Sequence, residues 1–520
     1  MVSGAAPWWQ KAVVYQVYPR AFADGSLDDG IGDLAGIHAR LDYIRDLGVD
    51  AVWLSPIFPS PMCDNGYDVS DYCNIDPLFG DLATFDRLLT AAHERGLRVL
   101  LDWVPNHTSS LHPWFLESRS SRTSAKRDWY YWRDGSPDTP PNNWLAAFGG
   151  RAWTWDDTTE QWYLHLFLPE QPDLNWGNPE VQAAMHNTLR FWLDRGVDGF
   201  RMDVIHLIGK DPALPDAPPE EAHTNRVPYN DYPGTHPLLR GIRAVLDSYP
   251  GEPMMVGEVN LRETARISTY YGDCASGVGD ELHLAFNFLS LAAGWDADAW
   301  HSLIDTVDRD LQPGAWPTWV LSNHDVRRLR TRLGGSERRA RAMAVLLLTL
   351  RGTPFLYAGE ELGLEDAVVP KEQALDPGRR DGCRAPIPWT AAPPHGWTGM
   401  LPPLPFPPDA DTRSVERQET DANSMLVLYR RLLDLRRASP ALHSGSLQLL
   451  DSPSGVLGYA RRDEGGADEW VVLLNFNAGE AAVPLGTAYE VVVASNDVRV
   501  AGPYAGVVPS ETALLLRRLS

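Results

Sequence analysis

The sequence predicts an α/β protein: a (β/α)8 barrel of the TIM type, with an inserted domain after its third strand and an all-β sandwich at its C-terminal end. Two patterns predict it. A unit of amphipathic helix, glycine and buried apolar strand recurs, which is the grammar of parallel βα repeats. From about Ser444 onward that unit gives way to short alternating runs at 456–460, 470–476, 489–493 and 512–516, the pattern of a β-sandwich.

Residues 13–19 read as the first strand. A helical stripe follows over 34–47 (Leu34, Ile37, Leu41, Ile44, Leu47), closed by Gly48 and continued by a strand over 49–54. The unit returns as helix 85–95, Gly96 and strand 97–102. It returns again as helix 179–195, Gly196 and strand 197–203, the third helix opening on Asn178 as cap and Pro179 at its first position. Strands over 252–259, 282–288, 317–321 and Thr353–Tyr357 complete a set of eight. Eight parallel strands fit a closed barrel with its reactive groups at the C-terminal strand ends. A doubly wound open sheet is the alternative, but no glycine-rich phosphate loop follows the first strand.

The interval 106–176 is too long for a simple connection and is dense in aromatic residues, from Trp114 through Trp129, Tyr130, Tyr131 and Trp132 to Trp162. We expect the barrel to occupy 1–105 and 177–440, the inserted domain 106–176 and the sandwich 441–520. A proline-rich surface excursion is expected over 362–411, and an amphipathic helix over 424–437.

A 44% hydrophobic and 22% charged composition is that of a globular protein, and 520 residues exceed one ordinary core. The formal charge of −23 argues against nucleic acid or an anionic membrane as partner, because both select for basic patches. Four cysteines form no disulfide framework and no CxxC pair. No basic segment followed by an apolar run opens the chain, and the longest apolar run, 342–350, is too short to span a bilayer. The expectation is a cytoplasmic monomer or small homo-oligomer.

Chemistry gathers at the strand ends. Arg201 and Asp203 lie two positions apart on one strand and so share a face. A cation beside a carboxylate there serves either as a structural ion pair or to keep a reactive carboxylate ionised. Context favours the second: Asp64 to Asp68, Asp102 to His107, Gly257-Glu258-Val259 and Ser322 to Asp325 each follow a predicted strand. Asp203 and Glu258, from adjacent strands, would face one pocket as the carboxyl pair of a glycosidase, separated by roughly 5–5.5 Å in the retaining type. Next to Arg201, Asp203 is expected to stay anionic and attack the anomeric carbon. Glu258 has no neighbouring cation in sequence and is flanked by Val256 and Val259, so it is expected to keep the proton it donates. Asp325 would stabilise the developing positive charge, with His107 and His324 donating to sugar hydroxyls. The loop Asp24 to Asp33, with Asp29 and the Ile31 carbonyl between, suits a hard cation such as a structural Ca2+, although plain turn chemistry uses the same residues.

These motifs, together with Gln171-Pro172-Asp173-Leu174-Asn175-Trp176, resemble the α-amylase superfamily (glycoside hydrolase family 13), and within it the α-glucosidase and oligo-1,6-glucosidase branch. The resemblance covers nearly the whole chain. It implies a retaining, exo-acting α-glucosidase of short oligosaccharides that requires no cofactor, with Asp203 as nucleophile, Glu258 as acid/base and Asp325 as transition-state stabiliser. It also implies that Asp64, Tyr67, His107, Arg201, His324 and Arg384 hold the non-reducing glucose. The Asp24 to Asp33 loop is about one residue longer than that branch's calcium loop and lacks its Asn. Val204, after the nucleophile, is the residue the branch associates with α-1,6 linkages. A transglucosidase or a sucrose or trehalose isomerase shares the same intermediate and is the close alternative. A non-catalytic transporter heavy chain is the distant one, and it would lack these carboxylates.

Overall fold

The computed structural model describes residues 6–25, 29–221, 227–275 and 277–519. Its centre is an eight-stranded parallel sheet made of β1 (Val14–Val17), β2 (Ala51–Leu54), β3 (Arg98–Trp103), β7 (Gly199–Met202), β8 (Met254–Gly257), β9 (Leu284–Ala285), β10 (Thr318–Val320) and β11 (Thr353–Tyr357). Strand neighbours run β10-β11-β1-β2-β3-β7-β8-β9, so chain order is kept around the barrel. The gap between β9 and β10 is bridged by a side chain. Thr318 Oγ1 donates to Ala285 O (2.8 Å) and accepts from Asn287 N (3.1 Å). Between β3 and β7 stand β4 (Trp132–Arg133), β5 (Trp153–Asp156) and β6 (Gln161–Leu164), an antiparallel sheet in the order β4-β6-β5. C-terminal to the barrel, a six-stranded antiparallel sheet and a two-stranded sheet follow.

Period-two alternation sorts the barrel strands. Val14, Trp53, Leu100, Val256 and Phe355 pack together inside the barrel, while Tyr15, Val52, Leu101, Phe200 and Met255 join the core beneath the helices. Continuing the inward set by two residues reaches Gln16, Asp102 and Glu258. Register sets Asp102 of β3 directly beside Arg201 of β7. Gly199 makes the close approach of β7 to β8 possible, since a Cβ there would lie 2.1 Å from Met254 O.

The helix expected to open on Asn178 does so, and two others open on caps of the same kind. Asn178 accepts from Glu180 N to open Pro179–Asp194, Asp81 opens Leu82–Glu94, and Ser424 opens Met425–Ala438. One expectation differs: the helix expected over 34–47 is two, Leu34–Ala39 and Leu41–Leu47. The break falls at Arg40, which leaves helical geometry while its guanidinium lies over the Trp389 ring at 4.1 Å. A tertiary contact of this kind leaves no mark on the hydrophobic stripe.

Helix Met425–Ala438 fastens the bottom of the barrel through Arg436, which is 1% exposed. Its Nη atoms donate to the carbonyls of Leu348 (3.0 Å), Leu350 (3.3 Å), Leu442 (3.0 Å) and Gly352 (2.6 Å). Three of these carbonyls lie around the end of helix Glu337–Thr349 and the turn into β11, and the fourth, Leu442, lies in the short helix Pro440–His443, places where backbone acceptors otherwise go unpaired. Each unpaired buried acceptor costs about 1–3 kcal/mol. Arg436→Met, of similar volume, is therefore expected to destabilise the protein by about 3 kcal/mol or more. A thermal melt of the variant superimposing on wild type would contradict this.

Candidate active site

At the C-terminal ends of the barrel strands opens a cup of about 520 Å3. That lies within the range of small-ligand sites, about 300–1,000 Å3. Asp64, Tyr67, His107, Asp203, Glu258 and Asp325 all line it. Arg201, His324 and Arg384 do not: they are buried beneath or behind it and touch the groups that do.

Arg201 is the hub. Its Nη1 donates to Asp102 Oδ1 (2.8 Å) and to Asp203 Oδ1 (2.6 Å), and its Nη2 donates to Glu258 Oε2. Glu258 therefore does have a cation beside it, supplied from the neighbouring strand, which the local sequence around Glu258 could not reveal. Asp203 differs from expectation too. Burial, with Glu258 and Asp102 nearby, pushes its carboxyl upward against the pull of Arg201. Burial likewise pushes Asp102 up to about 6. One guanidinium thus serves three carboxyl groups, and for Asp102 and Asp203 its pull does not offset burial.

Backbone conformation after Asp203 adds to this. Val204 sits at φ 35°, ψ 40°, a left-handed conformation that β-branched residues rarely adopt. The bend turns its N–H toward Glu258 Oε2 (3.2 Å) and its side chain into the cup. Strain of this kind, about 1–3 kcal/mol, persists where surrounding structure imposes it.

Asp325 lies across the cup. Burial works to raise its carboxyl, and the guanidinium groups of Arg384, Arg380 and Arg201 overcome that and hold it below the usual carboxylate range. His324 adds little positive charge, because burial pulls its own imidazole down to about 3 and leaves it neutral. Its Nδ1 faces Gln16 Nε2 (2.7 Å), its Nε2 faces Tyr67 Oη (2.6 Å), and its ring stacks on Tyr67. Tyr67 in turn donates to Asp102 Oδ2 (3.0 Å). These buried rings thus tie Asp325's neighbourhood to the Arg201 hub.

Arg380, which the motif reading missed, also lines the cup. It donates to Asp64 Oδ1 (2.7 Å), Asp325 Oδ1 (2.8 Å) and both oxygens of Asp376 (2.6 and 2.8 Å). Arg384, four residues on, reaches Asp376 (3.1 Å) and Asp325 (3.3 Å) from behind. The i, i+4 pair Asp376–Arg380 was the available signal, in a loop with no strand to locate it. Gln171 reaches Asp64 Oδ2 (3.1 Å) and His107 Nε2 (3.0 Å), and Phe148 and Phe167 supply the apolar wall. Burial pulls His107 down to about 4, so it too is neutral at physiological pH.

The Asp24 to Asp33 loop lies away from the cup, and its residues 26–28 fall outside the described residues. Asp33 caps helix Leu34–Ala39 by accepting from Gly36 N (2.6 Å). Asp24 and Asp29 accept from the loop amides of Gly30 and Ile31, at 2.9 Å each. Among the described residues, no three acidic, His or Cys side chains gather into a set that could hold a metal. The donors are engaged in turn and cap chemistry, and no chemical step below passes through this loop. Nor is any helix among the described residues long and apolar enough to cross a membrane.

Residues 16–445 match the family model described as alpha amylase, catalytic domain. The chain is 44% identical over 486 residues to a probable alpha-glucosidase of Rhizobium meliloti (strain 1021), covering 87% of each chain. It is 38% identical over 519 residues to an oligo-1,6-glucosidase of Parageobacillus thermoglucosidasius, covering 90% of each. Among solved structures, the alpha-glucosyl transfer enzyme XgtA superposes with a TM-score of 0.91 at 41% identity, over 99% of this chain and 100% of that one.

Proposed function

The chain belongs to the α-amylase family of glycoside hydrolases, and on that premise we propose that it is a retaining, exo-acting α-glucosidase that removes the terminal glucose of short α-linked oligosaccharides. The observation that carries this reading is the pairing of Asp203 and Glu258 on the two Nη atoms of Arg201, in a cup that Asp64, Asp325 and Arg380 also line.

In this reading the non-reducing glucose sits against Asp64, Arg380 and His107, with Phe148 and Phe167 beside the ring. Asp203 Oδ attacks the anomeric carbon as the glycosidic C–O bond breaks, and Glu258 delivers its proton to the departing oxygen. Asp325, held anionic by Arg380 and Arg384, faces the oxocarbenium-like charge that develops on the sugar. In the second half, Glu258 takes a proton from water, whose oxygen displaces Asp203 and releases glucose with its α configuration kept. We read Arg380, bridging Asp64 and Asp325, as the stop that admits one terminal unit, so that cleavage proceeds from the chain end.

Arg380 bridges Asp64 and Asp325, so Arg380→Ala strips both of their shared cation. Loss of one partner in a buried charge pair costs about 3–5 kcal/mol, and part of that falls on substrate binding. We expect kcat/KM on maltose to drop about 100-fold, mainly through KM. An unchanged KM would remove Arg380 from the glucose site.

A second reading, transfer of glucose to a sugar hydroxyl instead of water, is favoured by the similarity to the alpha-glucosyl transfer enzyme XgtA. Product analysis on maltose, isomaltose, sucrose, trehalose and starch separates the two. Free glucose from maltose or isomaltose at all concentrations supports hydrolysis, with Val204 favouring isomaltose. Longer oligosaccharides or isomers from concentrated maltose or sucrose support transfer. Rapid fragmentation of starch into mid-length chains would overturn exo action.

A further inference from the structure

A second cavity, of about 130 Å3, lies at the opposite face of the barrel, where β1 and β2 begin. It is formed by Lys11 and Val13 before β1, Gly48 and Asp50 before β2, and the end of helix Met425–Ala438 with the short helix Pro440–His443. Lys11, Arg436 and Arg437 line it against one carboxylate, Asp50, while burial and the neighbouring cations push the His443 imidazole down, so that it adds a ring nitrogen and no charge. Such an excess is unexpected in a chain whose formal charge is −23.

The buried members sharpen the point. Arg436 has no carboxylate partner: its Nη atoms bond only to carbonyls, and its Nε is buried without an acceptor. A second buried guanidinium, Arg461, lies close behind and is likewise bonded only to carbonyls, those of Ser446, Thr349 and Gly445. His443 Nδ1 is also buried without a partner. The nearby carboxylates are committed elsewhere. Asp50 Oδ2 accepts from Val13 N (2.8 Å), and its Oδ1 stands 3.8 Å from Arg437. Asp468 serves Ser439, Ala441 N and Trp470 Nε1. Buried cations are ordinarily paired, because carbonyl dipoles solvate a charge without neutralising it.

We propose that this notch binds a tetrahedral oxyanion, a phosphate group, which bridges Lys11, Arg437 and His443 above the buried Arg436. A phosphate brings about −1.5 to −2 charges at neutral pH and three or more acceptor oxygens to a site rich in donors. Its occupancy pins the last helix of the barrel and the start of the C-terminal sheets to the first two strands, far from the cup.

The test uses the full chain, by calorimetric titration and thermal melting in inorganic phosphate, in glucose 6-phosphate and in sodium chloride at matched ionic strength. We expect one phosphate bound per chain and a melting temperature about 2 °C above the chloride control. A matching shift with glucose 6-phosphate identifies a phosphoryl group carried on a sugar, and a shift with inorganic phosphate alone identifies the free ion. Lys11→Glu is expected to weaken binding about tenfold while leaving turnover of an aryl α-glucoside unchanged. Phosphate and chloride giving the same melting temperature would overturn the proposal. So would wild-type phosphate affinity in both Lys11→Glu and Arg437→Glu.

Discussion

Asp203→Asn is expected to lower turnover by at least about 10^4-fold on every substrate, since it removes the atom that forms the glucosyl-enzyme bond. The same change is expected to leave the fold intact and the melting temperature equal to or above that of wild type. Asp203 is buried beside Asp102 and Glu258 with one guanidinium among them, and burial disfavours its ionised form. Asn keeps the shape, can still accept from Arg201, and relieves like-charge crowding. Lost activity with retained stability separates a reacting group from a structural ion pair, which would lose stability when broken. Near-normal hydrolysis by the variant, or a lost fold, would contradict the assignment.

Glu258→Gln divides substrates by leaving group. The measure is kcat/KM, which reports the first irreversible step, glucosylation, before Glu258 is needed again as base. On maltose the departing sugar oxygen needs a proton, and loss of general acid catalysis is expected to cost about 10^2–10^4-fold. On p-nitrophenyl α-glucoside the departing phenolate needs none, so the loss is expected to stay within about tenfold. Equal losses on both substrates would count against Glu258 as the acid.

Parts of this arrangement were legible in the chain because they are local. The Arg201–Asp203 spacing, the Asn178-Pro179 helix start and the glycines between helix and strand follow from periods and caps that any window of sequence displays. What bound the site together was not local. Register alone sets Asp102 beside Arg201, and a neighbouring strand brings Glu258 to the same guanidinium, so the sequence reading assigned Glu258 no cation and Asp203 too simple an environment. Arg380 sits in a long connection after β11, with no repeat to place it, and its partners Asp64 and Asp325 are distant in the chain. The left-handed Val204 was equally hidden, because a β-branched residue there runs against local preference and is held only by its surroundings. The Thr318 bridge across the barrel seam replaces a backbone ladder with one hydroxyl, which no strand pattern announces.

The central claim is that Asp203 and Glu258 act in turn on one anomeric carbon through a covalent glucosyl-enzyme. Its most direct test is the configuration of the first glucose released from p-nitrophenyl α-glucoside or maltose, followed by proton NMR before mutarotation sets in. Two displacements at the same carbon give α-glucose first, with the β anomer growing only at the rate of mutarotation. Initial release of β-glucose would require a single displacement by water and would contradict the account.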